Sequence, residues 1–539
     1  VGQLDAPDSS VSAVRVRRAR VLAAALALAS TLAPGGDARA HINSPDLLHE
    51  GMAGRYRLLV TIRPPEVIPG VAAIEVLATR ADLHNVTLVP LPIRGPGAIS
   101  PPVADIAARS PDDPRRFEGR LWLMATGSWQ VRVHVEGPDG AGDLSVPIPA
   151  IAVRTRRMQA GLGALLLALL AFLVAGLVSI IGASVRDADL AEGAAPDRRR
   201  RRRGHIAQIV TAGVLVAGIA GGWWWWDQEA SFYGRLVYKP LALEGRVTAA
   251  APGARGATGG GGETGAAAAG AAEGRQLALT LTDPGWLPMR RLDDLLPDHG
   301  HLMHLFVVRL PGLDAIAHLH PTESAPGHFT QPLPPLPPGA YALFADIVHG
   351  NGFAETATST VEIVAGTDAA PTGDDAVGTG APIAPTTAAA GTRANEDPIA
   401  SLADGTRVVW RRERAGDAVA PLVAGRASWF RFHVEERPGA PARDLVPYMG
   451  MAGHAVFLTH DRSVFAHVHP TGSVPMAALA LVAAKGADPH AGHAMPQEAL
   501  PAEIAFPYVC PRPGDYRIFV QFRRGPIIET AIFDAHVDR

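Results

Sequence analysis

Two long apolar runs, separated by a block of six arginines, limit what this chain can fold into more than any other feature. The first, "MQAGLGALLLALLAFLVAGLVSIIGASV" from Met158 to Val185, is long enough to cross the hydrocarbon core of a bilayer as a helix. The second, "HIAQIVTAGVLVAGIAGGWWWW" from His205 to Trp226, closes on four tryptophans suited to the membrane interface, where this helix is expected to end. Between them, within residues 186–204, Arg198 to Arg203 are consecutive. The positive-inside rule puts that loop in the cytoplasm and both flanking regions on the outer side.

A shorter apolar run follows Arg15, Arg17, Arg18 and Arg20 and closes on Ala38-Arg39-Ala40. It is too short to span and reads as a secretory signal peptide over residues 1–40, whose cleavage would leave His41 first. The expected location is the cytoplasmic (inner) membrane, with both large regions facing the periplasm or cell exterior and the lipid bilayer as a partner. A net charge of -3 supplies no basic field, so no nucleic acid is expected as a partner. Topology and attraction to anionic lipid account for the arginine block.

The chain has 539 residues, too many for one core, and its 57 glycines and 47 prolines imply many turns and linkers. Residues 41–157 alternate apolar and polar positions in stretches such as "RYRLLVTIRP" and "SWQVRVHVEG", the pattern of an exported β-sandwich. Residues 227–274 comprise a juxtamembrane segment and a Gly/Ala-rich linker, and residues 366–394 form a second linker. These delimit two more β-rich units, 275–365 and 395–539, the second with one short helix candidate, Val474 to Lys485. The expected fold is mainly β: three immunoglobulin-like or cupredoxin-like sandwiches plus two transmembrane helices.

The last two units are copies of one another. "DLLPDHGHLMHLFVV" matches "DLVPYMGMAGHAVFL", "AIAHLHP" matches "VFAHVHP", and "PGAYALFADIVHG" matches "PGDYRIFVQFRRG". His304 thereby pairs with His454, His318 with His467, and His320 with His469. Where the first copy has His299 and His301, the second has Met449 and Met451. Imidazole and thioether share little volume or polarity, yet both ligate copper, the thioether selecting Cu(I). Residues two apart on a strand share a face, so each H-x-H pair can present both rings together.

Candidate metal ligands are therefore His299, His301, His304, His318, His320 and His349 in the first copy. In the second they are Met449, Met451, His454, His467, His469 and Met476. Asp346, beside His349, is a further candidate, as are His490, His493 and Met495 in "HAGHAM". In the first exported region, His41, Asp82 and His84 are of the residue types a copper site would use. The competing explanation is that the H-x-H-P elements are hydrogen-bonded strand corners that take no metal. The single cysteine, Cys510, excludes an intrachain disulfide framework and any CxxC motif.

"GHAVFLTHDRSVFAHVHP" with "PGDYRIFVQF", and their counterparts in the preceding copy, resemble the YtkA-like and CopC-like copper-binding β-sandwich domains of bacterial exported proteins. The resemblance covers most of the exported chain and none of the apolar helices. It implies a sandwich fold and copper handling outside the cytoplasm. A CopC-type site would draw on an N-terminal histidine and a D-x-H element, here His41, Asp82 and His84.

The leading expectation is a membrane-anchored extracytoplasmic copper-binding protein for sequestration, resistance or delivery, taking Cu(I) or Cu(II). Its partners would be a membrane copper transporter or a copper-requiring envelope protein. The alternative is an immunoglobulin-like interaction or structural protein of the cell envelope that binds a protein or glycan. An enzyme is not expected, since no H-E-x-x-H, G-x-S-x-G, P-loop or dinucleotide fingerprint occurs.

Overall fold

The computed structural model describes residues 46–156, 158–191, 193–249, 274–286, 290–366, 370–382, 396–483 and 500–539. The chain is mainly β, with three β units and two long helices that follow the first unit. In that unit, one sheet runs Leu47–Ala53, Tyr56–Arg63, Gly70–Ala78, Arg116–Leu123, Ala108–Arg109. A second runs Asp105–Ile106, Asn85–Pro92, Gly127–Gly137, Gly140–Ala150. Burial alternates along Gly70–Ala78, so Ala72, Ile74 and Val76 share an inward face. They join Val86, Leu88, Val131 and Val133 of the other sheet in one core, giving a sandwich.

The helices Ala160–Asp187 and Arg198–Leu236 are both long and apolar enough to cross a membrane, and they expose leucine, isoleucine, valine and tryptophan. The second starts earlier than its apolar run implied. Arg198 to Arg203 form its first turns, and Asp197 caps them by accepting from Arg200 N at 2.7 Å. Arginine is a good helix former, so a run of them continues a helix readily. Nor does this helix stop at Trp226; it continues to Leu236. The segments that enter and leave the helix pair are tied together, Tyr238 N donating to Ala152 O at 2.8 Å. Trp286 Nε1 donates to Leu236 O at 3.1 Å and packs with Ile151, Tyr238 and Phe353.

The first repeat is larger than residues 275–365. Ala242–Ala249 pairs with Arg275–Thr282, and Ala376–Thr379 pairs with Ala315–Leu319, so both expected linkers contribute strands. In "LALEGRVT", Leu241 and Leu243 point inward at period two, a signal too short to stand out beside the Gly/Ala run. Among its described residues, the second repeat has two large sheets and one short hairpin. Ala427–Arg437 lies between Arg407–Arg411 and Glu503–Val509 in one, and Gly514–Arg524 lies between Ile527–Asp538 and His454–Thr459 in the other. Trp410, Phe430, Phe432, Phe457 and Phe533 fill the core between them. The helix expected near Val474 is present as Met476–Val482.

The two repeats pack face to face. Strands His304–Arg309 and His454–Thr459 are buried on both sides, which is why "HLFVV" and "HAVFL" read as unbroken apolar runs. Leu305 and Val307 face the first repeat's own core, whereas Phe306 and Val308 face the second repeat. In the second repeat, Ala455 and Phe457 face inward, and Val456 and Leu458 meet the first. Across the junction the rings of Phe344 and Phe465 stack with centroids 4.3 Å apart. Arg517 Nη1 reaches Gly312 O at 3.0 Å, satisfying a polar group at an otherwise apolar junction.

Candidate metal centre

Strand parity decides where the histidines go. His304 shares the face of Phe306 and Val308, and His454 that of Val456 and Leu458, so both point toward the junction between the repeats. His318 lies opposite Phe306 and His467 opposite Val456 on the neighbouring strands. His320 and His469 each follow the last residue of a strand. The result is one histidine cluster at the rim of the repeat junction, not two separate sites.

Within it the side chains form two trios, His304/His318/His320 and His454/His467/His469, each with ring nitrogens within 4.8 Å of one another. Hydrogen-bond partners set the tautomers. His454 Nε2 faces the Tyr448 carbonyl at 3.3 Å and so carries the proton, leaving Nδ1 bare. His467 Nδ1 lies 3.5 Å from the Asp346 carboxylate, a charge contact rather than a hydrogen bond, which favours the proton on Nδ1 and a bare Nε2. These two lone pairs point at one another across 3.1 Å. The first trio repeats the pattern: His304 Nε2 bonds to Asp298 O at 3.0 Å, His318 Nδ1 to Gln521 Oε1 at 3.0 Å, and the remaining nitrogens stand 3.0 Å apart.

Two facing lone pairs repel unless a positive charge lies between them. Two imidazoles on one tetrahedral ion, with bonds of about 2.0 Å, would hold their nitrogens about 3.3 Å apart, close to what is seen. The third members fit the same reading. His320 gives Nδ1 to Asp375 at 3.0 Å, and its buried Nε2 has no hydrogen-bond partner among the described residues. His469 is 2% exposed, and neither ring nitrogen has a hydrogen-bond partner among the described residues. Leaving both unmatched is costly unless they ligate. The donor set therefore fits a metal, and the carboxylate behind His320 is the usual orienting partner of a ligating imidazole.

Burial, then neighbouring imidazoles, pushes His304, His318, His454 and His469 well below the ordinary imidazole range. Burial also lowers His320, against the pull of Asp375. These five rings are thus held toward the neutral form, the one that binds metal. Phe306 lies beneath, stacked on His318 at 4.2 Å and 4.9 Å from His467, so the floor of the cluster is apolar.

The variable residues sit on matching turns. Asp298 and His301 exchange both backbone hydrogen bonds, as do Tyr448 and Met451, and between them His299 (φ 49°) and Met449 (φ 50°) are left-handed, each followed by a left-handed glycine. That is the two-residue hairpin turn that normally takes Asn, Asp or Gly. A histidine there carries strain, so the turn aims a particular side chain. His299 points into the cluster, 4.8 Å from the ring of His469 and 5.3 Å from that of His454. His301 stacks on His320 at 4.0 Å with Nε2 3.4 Å from Asp374.

Most of the other candidates lie elsewhere. His349 is fully buried with both nitrogens bonded, to Arg291 O at 2.8 Å and Glu355 at 2.9 Å, and it stacks on Phe353. It is a satisfied core histidine beside the buried Arg290–Glu355 pair. Met451 and Met476 pack with Val474 and Leu479 into the core of the first unit, where their thioethers fill apolar space. Asp82 pairs with Arg80 and His84 is exposed, both in the first unit. Asp346 does belong to the centre, orienting His467 rather than lying among the ring nitrogens. His41, His490, His493 and Met495 lie outside the described residues.

Asp298, Asp375, Gln521 and Tyr448 are parts of the centre that the residue pattern did not single out. Tyr448 Oη donates to Asp374 O at 2.8 Å and lies 3.4 Å from His318 Nδ1. The first unit closes over the far side. Glu50 N donates to Thr471 O at 2.7 Å and Ser473 N to Leu48 O at 3.0 Å, clamping the turn that follows His469.

A family model described as a domain of unknown function, DUF8832, matches residues 263–365 and 414–539, which is most of each repeat. No curated protein matches. Among solved structures, a tetra-tandem repeat from the extending region of a large adhesion protein is 9% identical, covering 87% of this chain and 71% of that one at a TM-score of 0.14. A membrane anchored protein from Corynebacterium diphtheriae is 8% identical, with 91% and 95% covered and a TM-score of 0.14. The BSP domain of a biofilm associated protein is 7% identical, with 93% and 68% covered and a TM-score of 0.13.

Proposed function

We propose that this chain is a membrane-anchored extracytoplasmic protein that binds copper between its two C-terminal repeats, to sequester it or pass it to an envelope partner. One observation carries the reading: in each repeat, bare imidazole nitrogens converge on a buried point, 3.0 Å apart in one trio and 3.1 Å in the other. An all-imidazole set without thiolate suits copper, and among divalent ions the affinity order favours Cu(II). The tie between Tyr238 and Ala152 supports this reading, because it joins both ends of the helix pair, as a hairpin with the first unit and the repeats on the same side would require. Bound copper would supply the positive charge that the facing lone pairs call for. The chain's own residues bury the rings, orient them and exclude water.

A second reading, an envelope protein whose tandem β units serve protein or glycan binding, takes the histidines as packing. The test is the metal content of the full chain purified in detergent from its native membrane. Copper near or above one ion per chain and in excess of zinc is the expected result. Chains that carry no copper, and fail to take it from a competing chelator, would overturn the proposal in favour of the second reading.

A further inference from the structure

We propose that copper enters and leaves the centre through the first repeat, where His301 and Asp374 capture the ion and hand it to His320. The inference rests on the copper reading and adds to it a route and two transient ligands. Because the repeats are copies, the cluster has two matching approaches, one beside each hairpin turn, and the turns close on His301 and on Met451. The two have diverged in opposite directions. Met451 is 4% exposed and packs with Val474, Met476 and Leu479 into the core of the first unit, which also clamps the turn after His469. That approach is closed. At the other, among the described residues, the side chain of His301 keeps 29% of its surface exposed and that of Asp374 keeps 31%.

The chemistry of this mouth suits capture. His301 Nε2 and Asp374 Oδ2 stand 3.4 Å apart, long for a hydrogen bond but near the spacing of about 3 Å between two donors that share one ion. Arg523 Nη2 donates to the other oxygen of Asp374 at 3.2 Å, and Tyr448 Oη to its carbonyl at 2.8 Å, so the second repeat fixes the carboxylate at the rim. The His301 ring is stacked on His320 at 4.0 Å. His320 is the next donor inward: its side chain is 4% exposed, Nδ1 is given to Asp375, and Nε2 is buried without a hydrogen-bond partner among the described residues. An ion that shed its water before meeting a ligand would face a high barrier at this buried, apolar-floored cluster. Passing from the exposed imidazole–carboxylate pair to His320 replaces water by ligands one at a time, and it lowers the barrier equally in both directions. The pair therefore sets the rate of exchange and leaves the affinity of the buried histidines alone.

The deciding experiment mixes the metal-free full chain in detergent with Cu(II) held by a weak chromogenic chelator and follows transfer by stopped flow. Removal from the loaded chain by a strong chelator gives the reverse rate, and chelators of graded strength give the equilibrium affinity. His301→Phe keeps an aromatic ring to stack on His320 and removes both nitrogens. It should slow loading and removal alike by about 10-fold or more, while affinity, the number of ions bound and the apo unfolding curve hold at wild-type values. Asp374→Asn, which leaves the stacked imidazole in place, should slow both rates in the same sense. Rates unmoved by His301→Phe would overturn the entry route and leave the copper reading intact. Slow exchange accompanied by a lost ion or a large fall in affinity would make His301 a resident ligand and overturn the route as well. A wild-type chain that binds no copper would defeat both proposals together.

Discussion

Asp346 belongs to the first repeat, yet its carboxylate stands 3.5 Å from Nδ1 of His467 in the second. Its counterpart on the matching strand of the second repeat, Gln521, faces His318 Nδ1 of the first at 3.0 Å. Each repeat thus orients an imidazole of the other. Asp346→Ala should cost the second trio about 10- to 100-fold in copper affinity with little effect on the first, and Gln521→Ala should do the reverse. Chelator competition on the two variants checks this.

The metal-free protein should lose stability in mild acid. His304, His318, His454 and His469 are held well below their ordinary value in the folded chain, so on acidification the unfolded chain binds protons first. Stability then rises with pH across the window between the lowered folded values and about 6.5, and falls as pH drops through it. Denaturant midpoints at pH 7.5, 6.0 and 5.0 should decrease in that order.

Glu529 gives the opposite sign. Burial, with Asp404 beside it, pushes its carboxyl up to about 7. The folded chain then holds a proton that the unfolded chain has lost, so the Glu529 contribution to stability, set against the larger histidine term, declines as pH rises from the ordinary carboxyl value through 7. Glu529→Gln should abolish that decline and stabilise the protein at pH 8 by about 1 kcal/mol, a figure discounted for its partial exposure. Denaturant melts of both proteins at pH 5 and pH 8 provide the comparison.

The Phe344–Phe465 stack holds the repeats together. Phe465 is fully buried, and Phe465→Ala should cost about 3–5 kcal/mol. Because the junction carries the centre, copper binding should weaken as well. Chemical denaturation followed by metal titration of the surviving folded protein would measure the two effects separately.

Gly472 marks the clamp of the first unit. It adopts φ 115°, and a Cβ there would run into Leu48 O. Gly472→Ala should release the strand Leu47–Ala53 from the turn after His469, seen as faster amide exchange along that strand, with the first unit's own core unchanged.

Much of this arrangement was legible in the residues. Period-two alternation in "RYRLLVTIRP" and its like marked the β units, and aligning "HGHLMH" with "MGMAGH" found the turns that differ. The H-x-H elements located four of the six trio members, and the matched His304 and His454 the others. What covers the second face of "HLFVV" was not legible, because an unbroken apolar run records burial on two sides without naming the neighbour. For the same reason Met451 and Met476 looked like ligands when they are packing against the first unit. His349 was drawn in by proximity in sequence, but its register on Gly339–His349 puts it beside Glu355 rather than at the junction. Asp375 stood in a stretch whose composition reads as linker, and composition carries no information about one side chain's partner.

The reciprocal contacts also bear on how such a chain can evolve. A duplicated domain ordinarily leaves one copy free to drift while the other keeps the work. Here Asp346 serves His467, Gln521 serves His318, and His299 reaches His469, so a change in either copy is felt in the other. The copies can diverge only as a matched pair, and recombination that exchanged one of them for a foreign homologue would disable both.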